Sequence, residues 1–293
     1  MARRRFVQDQ QLDLFIITPN SSDIRSKHVK DLMTWGTFNI SKKPKKALLH
    51  QQGDFYLNVE AGKGNNIATY NDNDLMIFLT SHLVQAINQG QKKHVSPVIE
   101  FTANEFFSFT GKRHIGGTRY DQIWNSLQRL NDTFVHTNID LGGGTNLESR
   151  WNWLPEVHRL TSTATGKSTG FQVRIANPIY KAITQDTPQV LTLDRRYFDL
   201  TSGFRKFLYL YARKSAGYSE NEWIVSERFI HARSGSSMEL SQFRKLLKTV
   251  TDEGQLCDYK IKQARRGSER AIAFIRDPMA LEAVHKTTIV IEE

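Results

Sequence analysis

An α+β fold in two successive units of similar plan is what this 293-residue sequence predicts. Three observations carry that expectation. Apolar spacing switches repeatedly between a 3.6-residue and a 2-residue period, so helices and short strands are interleaved. One order of elements (helix, short strand, short helix, turn, helix, hairpin) occurs twice, without sequence identity between the halves. The length suggests about two domains, and 39% hydrophobic with 11% aromatic content is enough for packed cores.

In chain order, residues 1–30 are polar and mixed, with Arg3, Arg4 and Arg5 at the start, and are expected to be a flexible, solvated segment. Strand-like runs at Thr37–Ile40, Ala47–His50 and Phe55–Val59 predict a small antiparallel sheet, broken by Lys42–Lys46 and Gly53-Asp54. The Asn71–Asp74 cluster precedes a strong helix at Leu75–Asn88. It is read as a helix N-cap, since the run behind it is apolar and lacks the Glu of a calcium loop. Val98–Phe101 is a short strand, and Thr102 to Glu105 matches a capping box opening a short helix through Phe109. A basic turn, Gly111–Gly117, leads to a helix at Thr118–Leu130 with Tyr120, Ile123, Trp124, Leu127 and Leu130 on its apolar side. Thr133–Leu141, Arg150–Leu160 and Phe171–Ile175 are expected to form one sheet, with 161–170 as a polar loop.

The second half follows the same order. Asn177–Thr184 is a short helix with Pro178 in its first turn, and Pro188–Leu193 a connector strand. A helix at Ser202–Ser215, a strand at Trp223–Val225 and a Ser226-capped helix through Ala232 follow. After the turn Arg233–Ser237, an amphipathic helix runs from Met238 to Val250, with Leu240, Phe243, Leu247 and Val250 on one side. Beyond Gly254, Leu256–Ile261 and Arg270–Ile275 read as strands joined by the basic turn Gln263–Glu269. The expected organisation is 1–30 flexible, 31–187 a first unit, 188–280 a second, and 281–293 a tail.

A helix with a cationic outer face followed by a hairpin with a cationic tip is how a winged helix meets DNA, so two tandem winged-helix domains are predicted. In the second unit Ser241, Arg244, Lys245 and Lys248 line the helix, and Lys262, Arg265, Arg266 and Arg270 belong to the hairpin. Arg244 is the candidate for a bidentate guanine contact, because only a guanidinium presents paired donors. In the first unit Lys112, Arg113 and His114 flank the helix, while Thr118, Gln122, Asn125 and Arg129 line it.

Charge supports double-stranded DNA as the partner. The formal net charge is +10 with a pI near 9.6, which favours polyanions: nucleic acid first, an anionic membrane surface second. No apolar run approaches the ~18 residues of a membrane span. The basic start is followed only by the short apolar run Leu14–Ile17, too little for a signal peptide, so a cytoplasmic protein is expected. The single cysteine, Cys257, excludes an internal disulfide and a cysteine zinc site, and is expected in a strand of the core.

Catalysis finds no support. The nine histidines contain no His-x-His pair of the kind DNA-nicking enzymes use. Thr165-Gly-Lys-Ser168 has the end of a phosphate-binding loop, but lacks its first glycine and precedes a strand. No enzyme, cofactor or metal is expected.

With the elements in place, the chain resembles the plasmid replication initiator protein A family, akin to iteron-binding initiators with two winged-helix domains. The similar stretches are Asn73–Leu79, Phe101–Phe107, Arg119–Leu130, Val190–Phe198, Leu208–Lys214 and Phe243–Lys248, within roughly residues 10 to 255. The resemblance implies binding to repeated sites at a plasmid origin, opening of the duplex, and recruitment of host initiator and helicase proteins. It also implies a homodimer in equilibrium with monomer, paired through the first unit, that represses its own promoter. A winged-helix repressor without initiator activity is the alternative.

Overall fold

The architecture is α+β, with helices packed on small, mainly antiparallel sheets around a hydrophobic core that is continuous across both halves of the chain. The structure is a computed structural model that describes residues 15–16 and 24–277, apart from 42, 63–64, 93–94, 113–116, 139–147, 187 and 218–220. The chain begins with β1 (Phe15–Ile16), β2 (Lys27–Val29), β3 (Ala47–Gln52), β4 (Phe55–Ala61), α1 (Asn73–Asn88), β5 (Val98–Phe101), α2 (Ala103–Thr110) and α3 (Gly117–Asn131). It continues through β6 (Thr133–Thr137), β7 (Ser149–Asn152), β8 (Glu156–Thr161), β9 (Ser168–Arg174), α4 (Asn177–Thr184) and β10 (Val190–Thr192). The second half adds α5 (Gly203–Ser215), β11 (Trp223–Ser226), α6 (Glu227–Ser234), α7 (Leu240–Glu253), β12 (Gln255–Leu256), β13 (Tyr259–Arg266) and β14 (Glu269–Arg276). No described helix is long and apolar enough to cross a membrane.

Two units share one plan. In the first, α1, β5, α2 and α3 precede the β8–β9 hairpin, and β5 pairs antiparallel with β9. In the second, α5, β11, α6 and α7 precede the β13–β14 hairpin, and β11 pairs antiparallel with β14. Local chemistry sets the boundaries. Thr102 and Glu105 close the expected capping box, with the Glu105 carboxylate accepting from the Thr102 amide at 2.6 Å. Ser226 accepts from the Phe229 amide to start α6, and Gly235 ends it at φ 64°, the left-handed conformation that favours glycine. Phe78 on α1 meets Phe101, Phe106 and Phe109 edge-on at centroid distances of 5.2–5.5 Å, each such pair contributing about 0.5–1.5 kcal/mol beyond burial.

Several expectations need correction. Thr133–Leu141 and the first part of Arg150–Leu160 do not join the first unit's hairpin. β6 and β7 instead extend the β3–β4 pair into a separate sheet of order β3-β4-β6-β7. The chain changes sheets at Trp153–Pro155, where the Asn131 side chain donates to the Leu154 and Pro155 carbonyls. Thr37–Ile40 forms no strand, only an isolated bridge from Asn39 to Thr69. The stretch expected to be flexible up to residue 30 includes β2, which pairs with β10 and buries His28 and Val29. The expected boundaries at 30 and 187 are therefore bridged by hydrogen bonds. Asp72 is not a side-chain cap: its carboxylate turns back to accept from the Thr69 amide and hydroxyl. Cys257 is buried but sits in the turn between β12 and β13, at a positive φ of 54°.

The junction between the units is tight and polar at its centre. Lys206 on α5 donates to both carboxylate oxygens of Asp74 on α1 at 2.7 Å, and both residues are 1% exposed. Burial lowers the lysine pKa, and Asp74 opposes that shift. Around the pair, backbones nearly touch. A Cβ on Gly203 would lie 2.8 Å from the Ile40 carbonyl oxygen, and the Gly36 amide donates to the Arg233 carbonyl at 2.7 Å.

Removing one partner of a buried pair strands the other charge. Lys206→Met should cost about 3–5 kcal/mol in urea unfolding, while Asp74→Leu combined with it should recover most of that loss. A double variant as unstable as the single one would reject the ion pair as the determinant. A second expectation concerns acid. Burial lowers the pKa of His28 to about 4 and of His82 to about 3. Unfolded histidine takes its proton near pH 6.5, whereas the folded state stays neutral, so stability is lost as pH falls from about 6.5 toward 4. Near pH 5 the two together should give a slope of about 2.5 kcal/mol per pH unit, read from denaturation midpoints at stepped pH. A flat midpoint across that window would mean that the histidines are not buried neutral.

Candidate nucleic-acid interface

α7 is positioned by its apolar stripe. Phe243, Leu247 and Val250 are buried against the β13 side of the sheet, and the Phe243 ring meets His231 of α6 at 4.7 Å. His231 in turn hydrogen-bonds the Met238 carbonyl at 2.8 Å, which fixes the α6–α7 turn. The opposite face of α7 is left in solvent. Ser241, Lys245 and Lys248 are exposed there at the spacing of one helical stripe. Lys248 pairs with Asp252 at 2.6 Å, an exposed i,i+4 contact of a few tenths of a kcal/mol that another anion can displace.

Arg244 is braced between helices: its Nε donates to Glu227 of α6 at 2.7 Å, while about a third of the side chain stays exposed. The partner lies 17 positions away, a separation at which no sequence pattern reveals it.

The hairpin is longer than expected. β13 runs to Arg266 and β14 starts at Glu269, so the turn is Gly267-Ser268 alone, with Gly267 at φ 63°. Register sorts its cations. Arg265 stands directly across from Arg270, on the hairpin face that carries the buried Tyr259, Ile261, Ile272 and Phe274. That is the face toward α7. Lys262 and Arg266 alternate to the other face, where Lys262 pairs with Glu222 and Arg266 lies across from Glu269. Two arginines directly opposed destabilise a hairpin unless an anion lies between them. Arg265 and Arg270, both exposed, therefore form an opposed cationic pair next to the hairpin turn that is suited to an anion.

The first unit offers much less charge. Gln122 and Asn125 are exposed on α3 as expected. Arg129 is not on that surface in a usable form: it holds the fully buried Asp72 through two bonds of 3.0 and 2.7 Å, which raise its pKa. Lys112 lies 3.4 Å from the buried Asp74. Arg113 and His114 lie outside the described residues, as does the side chain of Thr118. The β8–β9 hairpin carries Arg159, which is paired with Asp121 of α3 at 2.9 Å, and Lys167, exposed in its turn. Thr165-Gly-Lys-Ser168 belongs to that hairpin. Among the described residues, no group of three or more His, Cys, Asp or Glu could hold a metal ion. Arg119, passed over in the sequence, sets its guanidinium 5.3 Å from the centre of the Phe107 ring. The contact joins residues of α2 and α3 twelve positions apart, so it leaves no mark in local spacing.

The arrangement defines a protein of DNA replication once it is set beside known chains. The family described as Replication initiator protein A matches residues 27–261, across both units, and the chain belongs to that family. A relative from Wigglesworthia glossinidia brevipalpis named "Putative replication protein" is 25% identical over 214 residues, covering 73% of this chain and 76% of its own. Two crystal structures of domains 2 and 3 of RctB share the fold, with TM-scores of 0.56 and 0.53 at 12% and 13% identity. Each likeness covers 84% of this chain, and 98% and 97% of the respective RctB chain.

Charge on the α7-facing side of the hairpin should dominate the salt dependence of binding to a DNA duplex. Arg265→Ala with Arg270→Ala should flatten the log–log salt slope by about 1.8, two phosphate contacts, without loss of thermal stability. Lys262→Ala, on the other face, should leave the slope nearly as it is. Equal effects from the two variants would overturn the facial assignment.

Proposed function

We propose that this chain is a plasmid replication initiator whose two units are winged helices reading repeated double-stranded sites at an origin. α7 and α3 enter successive major grooves, and the two hairpins lie on the flanking backbones. The second unit supplies most of the electrostatic grip, through Lys245, Lys248, Arg265 and Arg270. The first contributes Gln122 and Asn125, amides suited to adenine edges or phosphates. The single observation that supports DNA binding is the exposed, directly opposed Arg265–Arg270 pair on the hairpin that follows the cationic helix α7. The family match across both units supports initiation as its purpose.

On this reading the protein works in the bacterial cytoplasm without catalysis, cofactor or metal. Binding strains the origin duplex, and the assembled protein recruits host initiator and helicase proteins. A homodimer formed through the first unit represses the protein's own promoter.

The test is a footprint on the DNA beside the coding region, with permanganate added to mark unpaired thymines. Protection of tandem repeats together with reactive thymines in a neighbouring A·T-rich segment is the expected result. Protection without reactivity would reduce the function to repression, and no protected repeat would overturn the proposal.

A further inference from the structure

β11 is the edge strand of the second unit's sheet, of order β11-β14-β13-β12, and among the described residues no strand lies along its outer side. The same position in the first unit is filled. There β1 pairs in parallel with β5, Phe15 opposite Ile99 and Ile16 opposite Glu100, so the sheet runs β1-β5-β9-β8. The helix caps align the two strands. Thr102 caps α2 and Ser226 caps α6, so Ile99 and Glu100 correspond to Trp223 and Ile224, three and two residues before each cap. Ile99 is fully buried, whereas Trp223 is 43% and Ile224 38% exposed. As successive strand residues these two lie on opposite faces, so the bare edge is apolar on both. An exposed apolar edge with unpaired backbone groups is a template for another strand.

We propose that residues 287–291 of this chain add to that edge as a fifth strand, parallel to β11, as β1 does to β5. The segment Thr287-Thr-Ile-Val-Ile291 is β-branched throughout, the composition that best fits a pleated surface. Alternation would set Ile289 and Ile291 on one face and Val290 on the other, matching an edge that is apolar on both. Chain direction fits as well. β11 runs antiparallel to β14, and Phe274 lies opposite Trp223, so β14 leaves the sheet beyond the start of β11. The Asp277 amide, bonded to the Asp258 carbonyl at 2.9 Å, fixes that exit. A return from there along the outer edge must run parallel to β11. The path is about 10 Å across two strand spacings and about 10 Å back along the strand. The nine residues between Asp277 and Thr287 reach about 30 Å when extended, ample for the crossing. A second copy presents the same segment only at its bulk concentration, whereas the tether to β14 holds this one close to the edge.

Hydrogen–deuterium exchange of the full chain, read by mass spectrometry on peptides covering Trp223–Ser226, tests the assignment. The β11 amides that face away from β14 should exchange at least about tenfold more slowly than in a chain lacking residues 286–293. Ile289→Pro with Val290→Pro removes a ladder donor whichever register the strand takes, and should speed the same amides while keeping the tail's length. A synthetic peptide of residues 286–293, added to the shortened chain, should restore the protection. The β5 amides, paired with β1, are the control and should not change. Equal acceleration in β5 and β11 would mean general loosening and overturns the proposal. So does exchange in β11 that neither the deletion nor the prolines alter. Protection that survives the deletion and rises with protein concentration gives the edge to a second copy, and overturns it too.

Discussion

A buried carboxylate and a buried ammonium in direct contact fix how the two halves of this molecule dock. Asp74 begins the most deeply buried helix, and Lys206 reaches it from the first helix of the second unit. Neither charge can be left alone in that environment, so the pair acts as a constraint: the second unit must dock where its lysine finds the acid. Two residues earlier, Asp72 draws in Arg129 and thereby fixes α3 to the start of α1. One buried acidic turn therefore sets the positions of α3 and α5, and through the α5 unit that of α7. Apolar packing supplies most of the stabilisation around it, while the charges select one arrangement among the many that packing would tolerate.

The same acidic turn redistributes the surface charge. A basic sequence suggests that both units would grip a polyanion, yet Arg129 and Lys112 face acids of the first unit. Exposed cations not drawn onto those acids include Lys245 and Lys248 of α7 and residues on both faces of its hairpin. Two units of one plan thus differ: the first carries the buried acidic turn and stands beside an extra sheet, and the second carries the hairpin with its opposed arginines.

Much of the fold was legible from sequence, and the reasons are local. The period of α7, the Thr102 capping box, the Ser226 cap and the position of Pro178 depend on residues within one or two turns, and all appear as read. The sheet partners of β6 and β7 were not legible, because alternation declares a strand without saying which edge it joins. Nor was the anchoring of Arg244 and Arg129, since a cation on an outward stripe reads as solvated until a distant acid is folded against it. The hairpin cations were identified correctly as exposed, but their division between two faces needed the register, which the two-residue turn fixes.

Glycines at positions 36 and 203 let backbone lie on backbone where the two units meet, and β2 is stitched to β10 across the same region. Such a seam has no slack of the kind a linker would give. The separation and relative rotation of α3 and α7 are accordingly built into the protein like the jaws of a fixed gauge. On the proposed reading, with one helix in each of two consecutive grooves, the span to be matched is about 34–36 Å along the duplex. Any mismatch between gauge and helix would then fall on the DNA, and A·T-rich or pyrimidine–purine steps yield most easily to such a demand.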